Sequence, residues 1–220
     1  MFVNSITTKN LILVGAGGHA KACIEVIAST EEFTIKGLVD QNAAMKSLLG
    51  YPILGKDELI DQQATLSNTY FLITVGQIKS AGTRIKIFEH ITNAGGQLAT
   101  IIAASAVVSA RAKIGAGTIV MQQVLVTADA VIGENVILNN KALIEHDCRI
   151  GDHVHISTGA LINGACTIGN SVFIGSGAVI KNGISICDDV IIGAASYVRE
   201  SITEKGIYAG NPAQRITVPG

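Results

Sequence analysis

The residues with the most chemical capacity lie close together in the chain: Asn139, Glu145, His146, Asp147, His153 and His155. An imidazole titrating near neutrality is a natural general base, and a neighbouring carboxylate raises its basicity and fixes its tautomer. His146, flanked by Glu145 and Asp147, has that composition. The competing reading is a solvated histidine at a turn. A third reading is zinc, which needs convergent imidazoles. His153 and His155 could share a face, whereas His146 would have to approach from elsewhere or from another subunit.

A second cluster stands near the start. Gly15-Ala16-Gly17-Gly18-His19 follows the apolar run at 11–14 and opens the amphipathic stretch Ala20-Lys21-Ala22-Cys23-Ile24-Glu25-Val26-Ile27. Gly15, Gly17 and Ala20 fit G-x-G-x-x-A, and Asp40 closes a further apolar run at 35–39. Such glycines let backbone amides and a helix N-terminus approach a phosphate. NAD and the diphosphate of a nucleotide sugar are both compatible, as is a tight turn with no ligand. His19, at the turn itself, adds a polar contact to whatever binds.

The elements that position these groups can be read from two periodicities. Ile, Val or Leu stands at every sixth position from 102 to 198, and the position four further on is also restricted: Ala106, Ala112, Thr118, Val124, Ala130, Val136, Ala142, Cys148, Val154, Ala160, Cys166 and so on to Ile202. Glycine often follows the aliphatic residue. A period of six fits neither a helix nor a plain strand; it is the mark of hexapeptide repeats winding a parallel β-helix. Three hexads per coil stack residues 18 apart, which makes Val126, Ile144, Ile162, Ile180 and Val198 one interior ladder. A β-sandwich is the weaker alternative, because sandwich turns vary in length. Ahead of the repeats, strands at 11–14, 35–39 and 70–75 alternate with helices at about 20–28 and 83–94, as in a small parallel α/β domain. The expected domains are therefore 1–100, Rossmann-like, and 101–220, the β-helix with a short tail, joined near 97–101.

Sixteen Lys+Arg against 17 Asp+Glu give a net charge of −1 and no basic stripe, which argues against nucleic acid. Mean hydropathy is high at +0.44, yet polar residues and glycine break each apolar run before it could span a bilayer. The run at 11–14 is too short for the core of a signal peptide. A soluble cytoplasmic protein is expected. Cys23, Cys148, Cys166 and Cys187 have no metal spacing. Cys148 and Cys166 should stack on adjacent coils as buried reduced thiols, since parallel Cβ vectors make bridging awkward.

Gly-Ala-Gly-Gly-His in an α/β domain, then Ile144-Glu145-His146-Asp147-Cys148, Ile150-Gly151-Asp152-His153-Val154-His155-Ile156-Ser157 and the ending Gly206-Ile207-Tyr208-Ala209-Gly210-Asn211-Pro212-Ala213, resembles the bacterial nucleotide-sugar acetyltransferases. Within them the chain is most similar to the bacillosamine-pathway enzymes, which acetylate the 4-amino group of a UDP-linked 4-amino-4,6-dideoxy sugar. Perosamine N-acetyltransferases and sialic acid O-acetyltransferases are related alternatives. The resemblance implies a left-handed β-helix, a homotrimer, acetyl-CoA between adjacent β-helices, direct transfer and no metal. It implies His146 as base, Asp147 as its tuning carboxylate (Glu in the bacillosamine enzyme), and Asn139 near the acceptor amine. His155 is implied at the acetyl carbonyl as a donor, with Ser176 and Ala194 against the coenzyme. Gly17, Gly18 and His19 match the sugar-nucleotide loop, Asp40 and Gln41 the base and ribose contacts, and Gly76 a position against the ligand. Outside the acetyltransferases, a zinc-dependent hydratase and a scaffold that only binds sugar nucleotide are the alternatives, with an NAD oxidoreductase last.

Overall fold

A computed structural model describes residues 8–42 and 44–217. Residues 1–7 and 218–220, the outer ends of the two expected domains, lie outside the described residues. The chain divides into two compact units: Met1–Gly76 with Lys86–Ala99, and Gln77–Ile85 with Thr100–Gly220. The sequence drew one boundary near residue 100; the segment Gln77–Ile85, which precedes that boundary, groups with the repeats.

In the first unit β1 (Lys9–Val14), α1 (Gly18–Ala28) and β2 (Phe33–Val39) appear where the apolar pattern puts them. Leu11 to Val14 are almost wholly buried because β1 lies inside the sheet, and α1 buries Ala20, Cys23, Ile24 and Ile27 at helical spacing. Next come β3 (Ser47–Leu48), β4 (Tyr51–Gly55) and α2 (Glu58–Ala64), none of which the sequence reading anticipated. These pieces are short and half-exposed, so they carry little periodic signal. Then follow β5 (Thr69–Ile73), α3 (Gly82–Asn93) and β6 (Gln97–Leu98). The stretch expected to be a link thus begins with a strand, Gln97 pairing with Tyr70.

The strand order is β3-β4-β2-β1-β5-β6, parallel except for the antiparallel pair of β3 with β4. The chain moves from β1 to one side and later returns to the other. The crevice of such a sheet opens at the carboxyl end of the strand where the direction switches. That is the end of β1, where the glycine loop begins.

In the second unit, strands of mostly two residues stack into three parallel ladders. The first face carries Ile119–Val120, Ile137–Leu138, His155–Ile156 and Phe173–Ile174. Leu125–Val126, Leu143–Ile144 and Leu161–Ile162 lie on the second, and Val131–Ile132, Arg149–Ile150 and Thr167–Ile168 on the third. Partners are 18 apart, as in Val126↔Ile144, Ile144↔Ile162 and Ile162↔Ile180. The fold is a Rossmann-like domain followed by a left-handed parallel β-helix.

Burial departs from the period at its beginning. Ile102 is 40% exposed and Val108 and Ile114 are half-buried, because no preceding coil covers the end of the column. From Val120 onward the aliphatic positions form one continuous core. Cys148 and Cys166 are buried and unbridged within it.

The corners obey a rule invisible in composition. The backbone is left-handed at every sixth residue from Gly117 to Ala195, including Gln123, Asp129, Asn135, Lys141, Asp147 and His153. Each non-glycine there carries a steric cost. Stacked backbone hydrogen bonds such as Asp147 N to Ala128 O, 3.1 Å, hold the conformation. The glycines after the aliphatic residues answer a different need. A Cβ on Gly151 would stand 2.6 Å from Oδ1 of Asn170, which accepts the Asp152 N–H at 2.8 Å. Asp152 and Asp188 accept the amides of Glu134 and Asn170 at 2.7 Å in the same way. The Ile-Gly step thus clears room for a side chain of the next coil.

Candidate active site

His146 and Asp147 occupy the corner between the second and third faces. Nδ1 of His146 lies 2.8 Å from Oδ2 of Asp147, with the two side chains 58% and 63% exposed. The left-handed backbone of Asp147 turns its short carboxylate back onto the preceding imidazole, so the missing methylene does not prevent contact. A carboxylate accepts, so Nδ1 carries the proton and Nε2 is left bare. The hydrogen bond to Asp147 raises the His146 pKa above its ordinary 6.5; the charges of Asp147 and Glu145 act in the same direction. One coil on, Gly164 lies beneath the ring: a Cβ there would stand 2.7 Å from both Cε1 and Nε2. Sequence reasoning missed Gly164, although adding one coil to position 146 leads directly to it.

Asn139 belongs to the corner between the first and second faces, at the opposite edge of the second face. Its Nδ2 lies 3.2 Å from Nε2 of His155, and its Oδ1 accepts the Asn140 N–H at 2.8 Å. His155 projects outward from the first face but is only 6% exposed, because the segment Gln77–Ile85 covers it. Its Nδ1 donates to the backbone carbonyl of Gln77 at 2.7 Å, and Phe173 packs edge-on at 5.2 Å. Burial pushes its pKa down to about 4, with the nearby charge of Arg84 adding to the effect. Nδ1–H is engaged by Gln77, and Nε2 of the neutral ring is an acceptor.

Ser176 and Ala194 share the corner of Asn139, further along the coil axis. The Gly177 N–H donates to Thr158 O and the Ala195 N–H to Ser176 O, both at 2.9 Å. The Ser176 hydroxyl meets that of Ser157 at 2.9 Å. The structure therefore brings Asn139, His155, Ser176 and Ala194 to one edge of the second face and His146 with Asp147 to the other. His153 is on the remaining corner, 3.0 Å from Nδ2 of Asn135. The three histidines do not converge within one chain, and no cluster of three His, Cys, Asp or Glu suited to a metal occurs among the described residues.

In the first unit, Gly17 caps α1, and a Cβ on Gly17 or Gly18 would meet nothing within 4 Å. The helix N-terminus there is open to a ligand. Gly15, at φ +108°, has no such room: a Cβ would be 2.5 Å from the Val75 side chain. His19 lies 3.4 Å from the Cys23 thiol through Nε2, and Gly76 backs onto its Cβ at 3.6 Å. Asp40 accepts the Ala16 N–H at 2.6 Å and the Asn42 N–H at 2.8 Å, bracing the glycine loop against the turn after β2. Each oxygen keeps a lone pair for a further donor. Gln41 beside it is exposed.

Residues 10–91 match the family model described as the PglD N-terminal domain. Residues 129–164 and 165–200 each match the bacterial transferase hexapeptide model of six repeats. The acetyltransferase domain of PglB from Neisseria gonorrhoeae FA1090 is 31% identical with a TM-score of 0.86, covering 95% of this chain and 100% of that one. The chain belongs to the hexapeptide-repeat nucleotide-sugar acetyltransferases. The same Neisseria domain in complex with acetyl coenzyme A aligns with a TM-score of 0.85 at 31% identity, again over 95% and 100% of the chains. A histidine-to-asparagine mutant of perosamine N-acetyltransferase from Caulobacter crescentus, in complex with CoA and GDP-perosamine, is 29% identical with a TM-score of 0.89, over 95% and 97%. Comparison with curated protein sequences gives no match. The acetyltransferase is an acyltransferase of the acetyl-CoA:amino-sugar N-acetyltransferase class. Among its described residues no helix is long and apolar enough to cross a membrane.

Proposed function

We propose that the enzyme acetylates the 4-amino group of a UDP-linked 4-amino-4,6-dideoxy-N-acetyl sugar, with His146 as general base and direct transfer from acetyl-CoA. The observation that carries this reading is the His146–Asp147 pair: an exposed imidazole whose Nδ1 proton is held at 2.8 Å by a carboxylate, leaving Nε2 to accept. The amine nitrogen attacks the thioester carbonyl, Nε2 takes a proton from it, and the C–S bond breaks to release CoA thiolate. The imidazolium returns the proton to the sulfur. No covalent enzyme intermediate is required, since thiolate is an adequate leaving group.

The working assembly is a homotrimer. The outward residues of the second face are Val107, Leu125, Leu143, Leu161, Val179 and Tyr197, and Val107 is 64% exposed. The third face instead presents Lys113, Val131, Arg149, Thr167 and Ser185, only one of them aliphatic. A long apolar ladder of this kind suits a subunit interface. Covering it with neighbouring copies brings the His146 edge of one β-helix to the Asn139, Ser176 and Ala194 edge of the next, with acetyl-CoA between them. Gly17, Gly18, His19, Asp40, Gln41 and Gly76 receive the sugar nucleotide.

Thiol release from acetyl-CoA, offered UDP-4-amino-4,6-dideoxy-N-acetylglucosamine, tests the reading with wild type and His146→Ala side by side. Release by wild type, falling by about two orders of magnitude or more in the variant, is expected. A GDP-linked 4-amino sugar belongs in the same assay, given the likeness to the Caulobacter enzyme. Preference for it would replace the uridine assignment, and undiminished release by His146→Ala would remove the base.

A further inference from the structure

The small inward slot at the corner between the second and third faces is filled, coil by coil, by Ala112, Ala130, Cys148, Cys166, Ile184 and Ile202. Only the two cysteines bring a side-chain donor into this column, and they stand where it passes the His146 corner. A buried thiol is ordinarily a small hydrophobe with a weak donor. Here the donor has an acceptor. Sγ of Cys148, a residue 0% exposed, lies 3.2 Å from the backbone carbonyl of Asn163. A carbonyl only accepts, so the S–H points to it. Cys166 lies beside Cys148 and has its own acceptor, the Lys181 carbonyl at 3.1 Å.

The Asn163 carbonyl belongs to the peptide that joins Asn163 to Gly164, and Gly164 is the residue beneath the His146 ring. In a trans peptide C=O and N–H point in opposite directions. With the carbonyl turned inward to the thiol, the Gly164 N–H points outward, on the side of the imidazole. Neighbouring coils hold the flanks of this peptide. Asn163 donates to the Ile180 carbonyl through its backbone N–H at 3.2 Å and through Nδ2 at 2.7 Å. The Gly164 carbonyl accepts the Gly183 N–H at 3.0 Å, and the Ala165 N–H donates to the His146 carbonyl at 2.9 Å. The Cys148 thiol closes this set from inside the column.

We propose that Cys148 is a positioning residue that works through the Asn163–Gly164 peptide: its S–H holds the Asn163 carbonyl inward and so sets the plane on which the His146 imidazole rests. The consequence for turnover rests on His146 acting as general base in acetyl transfer; the hydrogen bond itself does not. Cys148 and Asn163 are 15 apart in sequence and meet because they lie on consecutive coils.

Two measurements test the role of the thiol. The first is an infrared difference spectrum, wild type minus Cys148→Ser, in the S–H stretching region, where other protein groups do not absorb. Hydrogen bonding weakens the S–H bond, so a band at lower wavenumber than that of a thiol dissolved in alkane is expected. A band at the alkane position would overturn the proposal. The second is steady-state kinetics with melting temperatures for full-length wild type, Cys148→Ala, Cys148→Ser and Val172→Ala. The last opens space in the small slot of another corner, where Val172 is 0% exposed. Cys148→Ala is expected to lower kcat by about fivefold or more with KM for acetyl-CoA and for the amino sugar moving less than about twofold. Cys148→Ser, which keeps a donor, is expected to recover most of that loss. Val172→Ala is expected to melt at a lower temperature than wild type, as Cys148→Ala does, with kcat changed less than about twofold. Equal kcat in the Ala and Ser variants, or kcat that falls in step with melting temperature in all three, would reduce Cys148 to a filler of space and overturn the proposal. If Cys148→Ala does not fold, Cys148→Val, which fills the slot without a donor, takes its place. Should wild type release no CoA with any amino sugar, the acetyltransferase reading fails, while the infrared band still decides the hydrogen bond. An active wild type whose kcat ignores Cys148→Ala overturns the proposal and leaves that reading standing.

Discussion

At the scale of single residues, two histidines of one coil are driven in opposite directions by their surroundings. His146 is exposed and bonded to a carboxylate, which raises its pKa; His155 is buried beside Arg84, which lowers it to about 4. The base form of His146 is lost as pH falls through its raised pKa, so the acidic limb of the kcat/KM profile is expected above 6.5. Asp147→Asn removes the largest cause of the shift and should move that limb to lower pH while slowing turnover, which a pH–rate series on the two proteins would detect. Gly164→Ala should tilt the imidazole, because the new methyl meets ring atoms rather than backbone. Reduced kcat with an unchanged melting temperature is expected. His155 has a stability signature. Its folded pKa is below the unfolded value, so the unfolded chain binds a proton first and stability falls as pH drops from about 6.5 towards about 4. The loss amounts to at most about 3 kcal/mol, and denaturant titrations of wild type and His155→Phe across that window should diverge on the acid side.

At the scale of elements, the repeats rest on a column of aliphatic residues and on side chains interlocked between coils. The Ile-Gly-Asp/Asn corners show why residue choice is narrow there: the glycine of one coil makes space for the carboxylate or amide that accepts the preceding coil's N–H. Gly151→Ala would press a methyl against Asn170 and the Gly169 backbone, and a loss of about 1–3 kcal/mol in urea unfolding is expected. Gly159→Asn, where a Cβ would meet nothing within 4 Å and the left-handed backbone at φ +65° tolerates Asn, should be nearly neutral in the same experiment. Much of this was legible beforehand. The period of six located the strands, and the pairing of positions 18 apart followed from three hexads per coil. The left-handed corner residues were not legible, because seven different non-glycine residue types occupy ten of these positions and stacking hydrogen bonds, rather than composition, hold them.

At the scale of the whole molecule, the three faces of the β-helix differ in what they meet. The first carries His155, buried against Gln77. The third is mainly polar, and the second is an apolar ladder. A homotrimer built on the second face predicts that Leu143→Glu with Leu161→Glu yields monomers by analytical ultracentrifugation. Each chain should keep its β-helix by circular dichroism yet lose acetyl transfer, since the two halves of each site would no longer meet.

The sequence by itself determined the stacked coils, since a strict period of six suits short strands of constant spacing while their left hand was implied only by the family resemblance, and it singled out His146, Asp147 and the glycine loop, since their chemistry is local. The pairing of His146 with Asp147 was legible because the two are adjacent in the chain. Only the tertiary structure decided the partners of His155: Gln77 and Asn139 lie 78 and 16 residues away in sequence, and no local pattern marks them. The place of Gly164 under the imidazole differs, since one coil added to position 146 leads to it, whereas no such step leads to the partners of His155. These depend on which side chains the coil stacks and which segment covers a face, and stacking acts between residues that the chain order keeps apart.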